Sequence, residues 1–401
     1  MISLDDLKAL ARPARTKIVL LVMDGVGGLP RSLDGKTELE AAATPNLDAL
    51  AAQATLGLAD PVAPGITPGS GPGHLGIFGY DPLQFRIGRG VLEAVGIDMQ
   101  MTEKDLAARG NFCSVDAQGL ITDRRAGRIP TEICAKLCGL LETIKIPGVE
   151  LIVRPVREHR FVVLFRGEGL EEGLSETDPQ EVGKAPLPVR AEAPRAAHAA
   201  EIANRFSAEA KRVLAAEHPA NMLLLRGFSR HPEILKLTDI YGVRAGVIAV
   251  YPMYRGLARL VGMQVVEAGD TVADEFTALE KSFGRFDFFF VHIKKTDSYG
   301  EDGNFDGKMH VIEEVDRELP RLLALQPDVI VVTGDHSTPA ACKAHSWHPV
   351  PVLLWSKWCR PDDAKGFSER ECRFGGLGHI RAAELMPLIM GYAERLAKFG
   401  A

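Results

Sequence analysis

KIVLLVMDG, residues Lys17–Gly25, is an apolar run that ends in a carboxylate. A stretch apolar at every position, with no alternation, reads as a strand buried on both faces, the kind found in parallel sheets. Two later stretches repeat the design. FDFFFVHI, Phe286–Ile293, is followed by Asp297, and DVIVVT, Asp328–Thr333, by Gly334-Asp335-His336. VPVLLW, Val350–Trp355, is a further strand candidate. Helical patterns lie between them. Thr44 and Pro45 open a helix that runs through Gln53, and a helix over Phe305–Leu325 contains Pro320, which predicts a kink or a division. Strands alternating with helices predict an α/β protein with a doubly wound, mostly parallel sheet. Ligands of such sheets bind at the carboxyl ends of the strands. Three separate strands deliver an acid to that edge, and histidines accompany them, so the pattern predicts a metal cluster.

At 401 residues the chain is too long for one compact core, which predicts two domains or one domain with a large insertion. The pattern changes over 102–218, with shorter strands, Arg-rich turns, a Pro/Glu-rich loop at Glu168–Pro194 and an Ala-rich amphipathic helix near Arg195–Glu217. This block reads as a smaller α+β domain inserted into the sheet domain, which then comprises 1–101 and 219–401. Hydrophobic residues make up 46% and charged residues 25%, as in ordinary globular proteins. A net charge of −6 without a basic stripe argues against a nucleic-acid partner. No apolar run approaches the roughly 20 residues that span a bilayer, so no membrane partner is expected. The opening MISLDDLKALARPARTK lacks the apolar core of a signal peptide, and the expected location is cytoplasmic. The six cysteines form no CxxC pair, which predicts reduced, buried thiols, with Cys134 and Cys138 on one helix face.

GITPGSGPGHLGIFGYD, Gly65–Asp81, packs four glycines and two prolines into Gly65–Gly73. Such a run is kept where backbone must approach something closely or a side chain must hold an unusual pose. Ser70 stands where a nucleophile on a strand-to-helix elbow would stand; the alternative is an ordinary surface loop. A serine hydroxyl becomes a nucleophile at neutral pH only when a base or a metal activates it. Paired divalent ions can clamp both the attacking and the leaving oxygens of a phosphoryl transfer, and they take oxygen and imidazole ligands. The candidate ligands are Asp24, Asp297, Asp335, His336 and His345, each read as a strand-end or loop residue. Asp335 has a second reading as a helix N-cap before Ser337-Thr338-Pro339, Asp24 as a turn-former before Gly25, and His345 as a surface histidine. His348 reads as exposed or as lying behind the ligands. Asp123–Arg128, DRRAGR, places three arginines in a turn, an anion grip if it is not a solubilising charge run.

Together these residues resemble the cofactor-independent phosphoglycerate mutases, in the archaeal-type branch of the alkaline phosphatase superfamily. The resemblance rests on Asp24-Gly25, on Pro68-Gly69-Ser70 with Gly73-His74 and Ile77–Pro82, on Asp335–Pro339, and on His345 ahead of Pro349-Val350-Pro351. It extends to Ile87–Gly90, Asn111-Phe112 and Asp123–Arg128. It implies an alkaline-phosphatase-like sheet and an isomerase that interconverts 2-phosphoglycerate and 3-phosphoglycerate through a phosphoserine at Ser70, without 2,3-bisphosphoglycerate. It also implies two divalent ions, manganese foremost, with magnesium, cobalt or zinc as alternatives. One ion would be held by Asp24, Ser70, Asp335 and His336, the other by Asp297, Glu301 and His345. Glu301 stands where the family usually has histidine, which hardens that site and disfavours zinc. Asp123 is implied as the acid/base and Arg124, Arg125 and Arg128 as the glycerate clamp, with Arg255, in the turn Tyr254-Arg255-Gly256, and Arg89 as phosphate contacts. The glycines around Ser70 would leave room for a phosphoryl group, and the inserted domain would exclude water. Two other readings are a metal-dependent phosphohydrolase, which needs no clamp, and a catalytically silent relative that binds a phosphometabolite.

Overall fold

The computed structural model describes residues 2–32 and 35–400. The chain forms two compact units, one made of Met1–Arg86 with Ile234–Ala401 and the other of Ile87–Glu233. In chain order the first unit begins with strands β1 (Ile18–Met23) and β2 (Thr55–Asp60). The second unit holds β3 (Asp105–Val115), β4 (Ile121–Asp123), β5 (Val149–Arg157), β6 (Arg160–Gly167) and β7 (Met222–Arg230). The chain then returns to the first unit with β8 (Ala245–Ala249), β9 (Gln264–Val265), β10 (Phe288–Ile293), β11 (Val329–Thr333), β12 (Val350–Ser356) and β13 (Gly378–Arg381).

The first unit is built on an eight-stranded sheet in the order β13-β2-β12-β11-β1-β10-β8-β9. Every neighbouring pair is parallel except the two that involve β12, so β12 is the single reversed strand. The apolar runs of β1, β10 and β11 are buried at every position, as strands covered on both faces must be. On one face Val19, Leu21, Met23, Phe289, Val291, Ile330 and Val332 pack against Leu47, Leu50, Phe276, Leu279, Val311, Val315 and Leu319 from three helices. On the other, Phe290 meets the rings of His74, from the helix Ser70–Ile77, and of Phe78, which caps that helix. The carboxyl ends of β1, β10 and β11, together with the start of β12, therefore share one edge of the sheet.

Several expectations need correction. The helix Phe305–Ala324 is undivided at Pro320. A proline lacks the N–H that would bond the carbonyl four residues back; here Asn46 Nδ2 donates to the Asp316 carbonyl at 3.1 Å instead. The strand-to-helix elbow is a loop, because β2 ends at Asp60 and the helix opens only at Ser70. Asp297 is in the first turn of a short helix, Lys295–Glu301, rather than in a loop. Arg255 lies in the helix Pro252–Leu260, not in a turn. Of the cysteines, Cys342 is exposed and Cys359 partly so, while the other four are buried.

The second unit is α+β. Its five strands are antiparallel, with β3 paired to β4, β6 and β7. Helices Thr131–Glu142 and Ala197–Val213 cover one face through Leu137, Leu141, Ile202 and Phe206. The expected limits at 102 and 218 lie inside this unit. β7 pairs along β3, and the helix Arg89–Gly96 is seated so closely that a Cβ at Gly90 would collide with the Ala107 backbone. Both elements are thereby bound to this sheet, and the division falls at 87 and 233. Among the described residues no helix is long and apolar enough to cross a membrane.

Candidate metal centre and active site

Asp24 follows β1, and Asp335 and His336 follow β11; all three are fully buried. Their ligating atoms converge. His336 Nε2 is 3.3 Å from Asp24 Oδ1 and 3.1 Å from Asp335 Oδ2. Ser70, the first residue of its helix, points its Oγ at the same nitrogen from 3.4 Å. His74, one turn along that helix, has its Nδ1 2.8 Å from the Ser70 carbonyl and 3.1 Å from Asp335 Oδ2. Glycine at 73 is required by contact rather than by room for a phosphoryl group, since a Cβ there would strike the Asp335 carbonyl. Gly76 likewise sits against the Pro61 carbonyl, whereas Gly65 faces open space and a Cβ at Gly69 would make only ordinary contact with Pro72 at 3.8 Å.

The hydrogen bonds fix the tautomers. Thr338 Oγ1 donates its one proton to Asp297 Oδ1 at 2.6 Å, so it must accept from His336 Nδ1 at 2.9 Å. That leaves His336 Nε2 as a bare lone pair facing two carboxylates. Asp24 Oδ1 and Asp335 Oδ2 are buried without a hydrogen-bond partner. The Ser70 hydroxyl at 3.4 Å and His74 Nδ1 at 3.1 Å approach this group only from its side, and three converging acceptors so weakly served by donors fit a cation.

A second group forms beside it from Asp297, His336 and His345. His345 Nδ1 donates to the Pro68 carbonyl at 2.9 Å, which turns Nε2 toward Asp297 Oδ1 at 3.5 Å and Glu301 Oε1 at 3.8 Å. The rings of His345 and His336 stack at 3.6 Å. Burial works against the His345 imidazolium, but Asp297 and the Pro68 carbonyl outweigh it and raise the ring to about 9. Burial also works to raise Asp297, yet His345 and Lys294 hold it at about 2. Glu301 ends its helix with a side chain more than half exposed, and burial with the nearby Asp297 charge raises its carboxyl.

The sequence reading missed the groups that hold these ligands. Lys294 Nζ bridges the outer oxygens, 3.0 Å from Asp24 Oδ2 and 2.5 Å from Asp297 Oδ2. Tyr254 donates to Asp24 Oδ2 at 2.6 Å, and His292 Nε2 lies 3.4 Å from the same oxygen. Burial tends to raise Asp24, but Lys294 and His292 keep it well below the usual carboxylate range. Asp24 and Asp297 thus turn one oxygen to protein cations and keep the other for the site. Lys294 could have been suspected as a charge at the end of a buried strand; Tyr254 gives no sequence signal, being 230 positions from its partner.

In the second unit Asp123 ends β4 and accepts from the amides of Arg125 and Gly127 at 2.8 and 2.6 Å. Burial opposes its ionisation, but those amides hold its carboxyl below the ordinary value. Arg124 is engaged by Asp178 at 2.6 and 3.0 Å, while Arg125 and Arg128 are exposed. His159, also missed, is pushed down to about 4 by burial and by Arg160, Arg109, Arg125 and Arg128, so this unit concentrates positive charge in one place. Arg89 is exposed at the start of its helix. In the first unit Arg255 bonds the Ala249 carbonyl at 2.6 Å and pairs with Glu267 at 3.2 Å.

Residues 51–221 match the family model described as 2,3-bisphosphoglycerate-independent phosphoglycerate mutase. A protein of Thermotoga neapolitana is 54% identical over 388 residues, 96% of each chain, and one of Thermus thermophilus 49% identical over 400 residues, 98% of each. Both carry the name "Probable 2,3-bisphosphoglycerate-independent phosphoglycerate mutase". The chain belongs to the 2,3-bisphosphoglycerate-independent phosphoglycerate mutase family. Solved structures agree. The PH0037 protein of Pyrococcus horikoshii is 32% identical with a TM-score of 0.83, over 96% of this chain and 99% of that one. The cofactor-independent phosphoglycerate mutase of Thermoplasma acidophilum is 29% identical with a TM-score of 0.72, over 94% and 100%. The activity is that of the family: an isomerase acting on phosphoglycerate, a small-molecule substrate.

Proposed function

We propose that the isomerisation of 3-phosphoglycerate and 2-phosphoglycerate runs through a phosphoserine at Ser70, in a site that holds two divalent cations, manganese foremost. Asp24, Ser70, Asp335 and His336 would hold one, and Asp297, Glu301 and His345 the other. When bound, the cations lower the pKa of the serine hydroxyl and neutralise charge spreading over the phosphoryl group. Ser70 Oγ gives up its proton and forms a bond to phosphorus in line with the departing oxygen, the substrate P–O bond breaks, and the departing oxygen takes up a proton to leave glycerate. Glycerate stays bound, turns, and presents its other hydroxyl. Asp123, ionised at neutral pH, takes that proton as the phosphoryl group returns. Arg125 and Arg128, with the neighbouring Arg124 fixed by Asp178, hold the glycerate carboxylate through their guanidinium forks. Arg89 and Arg255 are further phosphate contacts. The second unit acts as the substrate-binding cap that keeps water from the phosphoserine.

The observation that carries this reading is Ser70 Oγ facing the His336 Nε2 lone pair beside two buried carboxylate oxygens, Asp24 Oδ1 and Asp335 Oδ2, that accept no hydrogen bond. The test is rapid quench of the enzyme with 3-phosphoglycerate, mass spectrometry of the Ser70 peptide, and an enolase-coupled assay repeated with manganese, cobalt, zinc and magnesium. Trapped phosphoserine with 2-phosphoglycerate formed and no free phosphate is the expected result, with the highest turnover in manganese. Phosphate release without 2-phosphoglycerate would mean a phosphohydrolase. Turnover without phosphoserine would remove Ser70 as the carrier.

A further inference from the structure

Lys308 is fully buried in the first turn of the helix Phe305–Ala324. Lysine is rarely buried, and a cation near a helix N-terminus opposes the helix dipole. Its position therefore needs a reason. The ammonium has three protons and spends them on three carbonyls: Gly25 at 2.7 Å, Thr338 at 2.9 Å and Gly27 at 3.1 Å. Among the described residues no side chain hydrogen-bonds to the ammonium. The Thr338 amide donates to the same Gly25 and Gly27 carbonyls, at 3.1 Å each, and Ser337 bridges to Val26 and Gly27.

Two glutamates, Glu38 fully buried and Glu369 partly so, complete the arrangement. Glu38 accepts from the Ala340 amide at 2.7 Å, and Glu369 accepts from the Gly28 amide at 2.9 Å and the Thr37 hydroxyl at 2.7 Å. Burial pushes the lysine down and the two glutamates push it up, with burial prevailing. The tied segments are the ones that matter for the site. Gly25 follows Asp24, and its amide donates to Asp335 Oδ1 at 3.1 Å. Thr338 follows His336 by two positions and bonds both His336 and Asp297.

We infer that Lys308 is a positioning residue: its ammonium acts as a built-in cation that locks the turn after Asp24 to the loop after His336 and so sets both metal groups together. The inference rests on the two-metal reading above. Its test is manganese titration of the metal-free, full-length protein by calorimetry, for the native chain and for Lys308→Met, which keeps the stem and removes the three donors. Both manganese dissociation constants are expected to rise together by about 10–100-fold, the range for groups that orient metal ligands. A merely structural lysine would lower the melting temperature and leave both constants unchanged. That result, or weakening of one group alone, would overturn the inference. Lys308→Ala supplies a second arm, because it opens a cage of three carbonyls. Methylammonium should restore folding and manganese affinity there, and tetramethylammonium, too bulky for the cage, should not. Equal behaviour in the two salts, including failure to fold in both, counts against the cage. A native protein that binds no manganese would remove the metal reading itself; one that binds two ions, with Lys308→Met binding them equally well, would remove only the role of Lys308.

Discussion

Ser70 has little holding its hydroxyl: one 3.4 Å approach to His336, while its carbonyl is gripped by His74. The backbone is fixed and the oxygen left available, as a nucleophile requires. Ser70→Ala is expected to lower kcat on the order of 10⁴-fold or more, while most manganese binding and the fold are retained. The variant leaves Asp24 Oδ1, Asp335 Oδ2 and His336 Nε2 in place. The enolase-coupled assay checks this, and substantial residual turnover would exclude Ser70 as the carrier. Glu301→His replaces a half-exposed oxygen donor by an imidazole beside His345. Preference for zinc over manganese, read by metal competition, should rise by at least about tenfold, since imidazole suits zinc better than carboxylate does. An unchanged preference would place Glu301 outside the coordination sphere. Asp24, Asp335, His336 and His345 were legible because each follows or precedes an apolar strand. The roles of Lys294, Thr338, Tyr254 and Lys308 were not, because they arise only where distant segments meet.

Elements were legible where hydrophobic continuity settled them, as in β1, β10 and β11. They were misread where a tertiary partner replaced a local rule. Pro320 should have broken its helix, and Asn46, more than 270 positions away, supplies the missing donor. β7 and the helix Arg89–Gly96 look like neighbours of the sheet domain in sequence, but β7 pairs with β3 and the helix packs against it. The helix Val272–Ser282 yields a prediction of its own. Glu275 is buried on it; burial raises its carboxyl to about 9, with Asp274 adding to the effect and Lys295 opposing it. In the unfolded chain this group ionises near its ordinary value of 4.5. Between these two pH values the folded protein holds a proton that the unfolded chain has lost, so stability falls as pH rises through the window. Glu275→Gln removes that loss. Its melting temperature should match the native one at the acid end and exceed it by several degrees at the alkaline end, on a scale of about 2–4 °C per kcal/mol. A difference that stays flat with pH would mean the native carboxyl is ionised and stabilised in place.

At the scale of the molecule, the two units carry separate hydrophobic cores, one around β1, β10 and β11 and one around β3, β6 and β7. All the proposed metal ligands lie in the first, and so do the chain's three tryptophans, Trp347, Trp355 and Trp358. Tryptophan fluorescence therefore follows the metal-binding unit alone, while far-ultraviolet circular dichroism follows both. A ligand that binds only the folded state stabilises it by about 2.7 kcal/mol at a hundredfold excess over its dissociation constant, which moves the melting midpoint of a unit this size by about 5–10 °C. Manganese should accordingly raise the fluorescence midpoint by that amount and chelation should reverse the gain. The dichroism trace should split into a metal-sensitive step that coincides with fluorescence and a metal-insensitive step from Ile87–Glu233. The sign follows from charge: cations among Asp24, Asp297 and Asp335 relieve repulsion between buried carboxylates that Lys294 alone only partly offsets. If both probes instead melt together and shift together, the two cores unfold as one cooperative body, and the metal groups stabilise the whole chain rather than the unit that holds them.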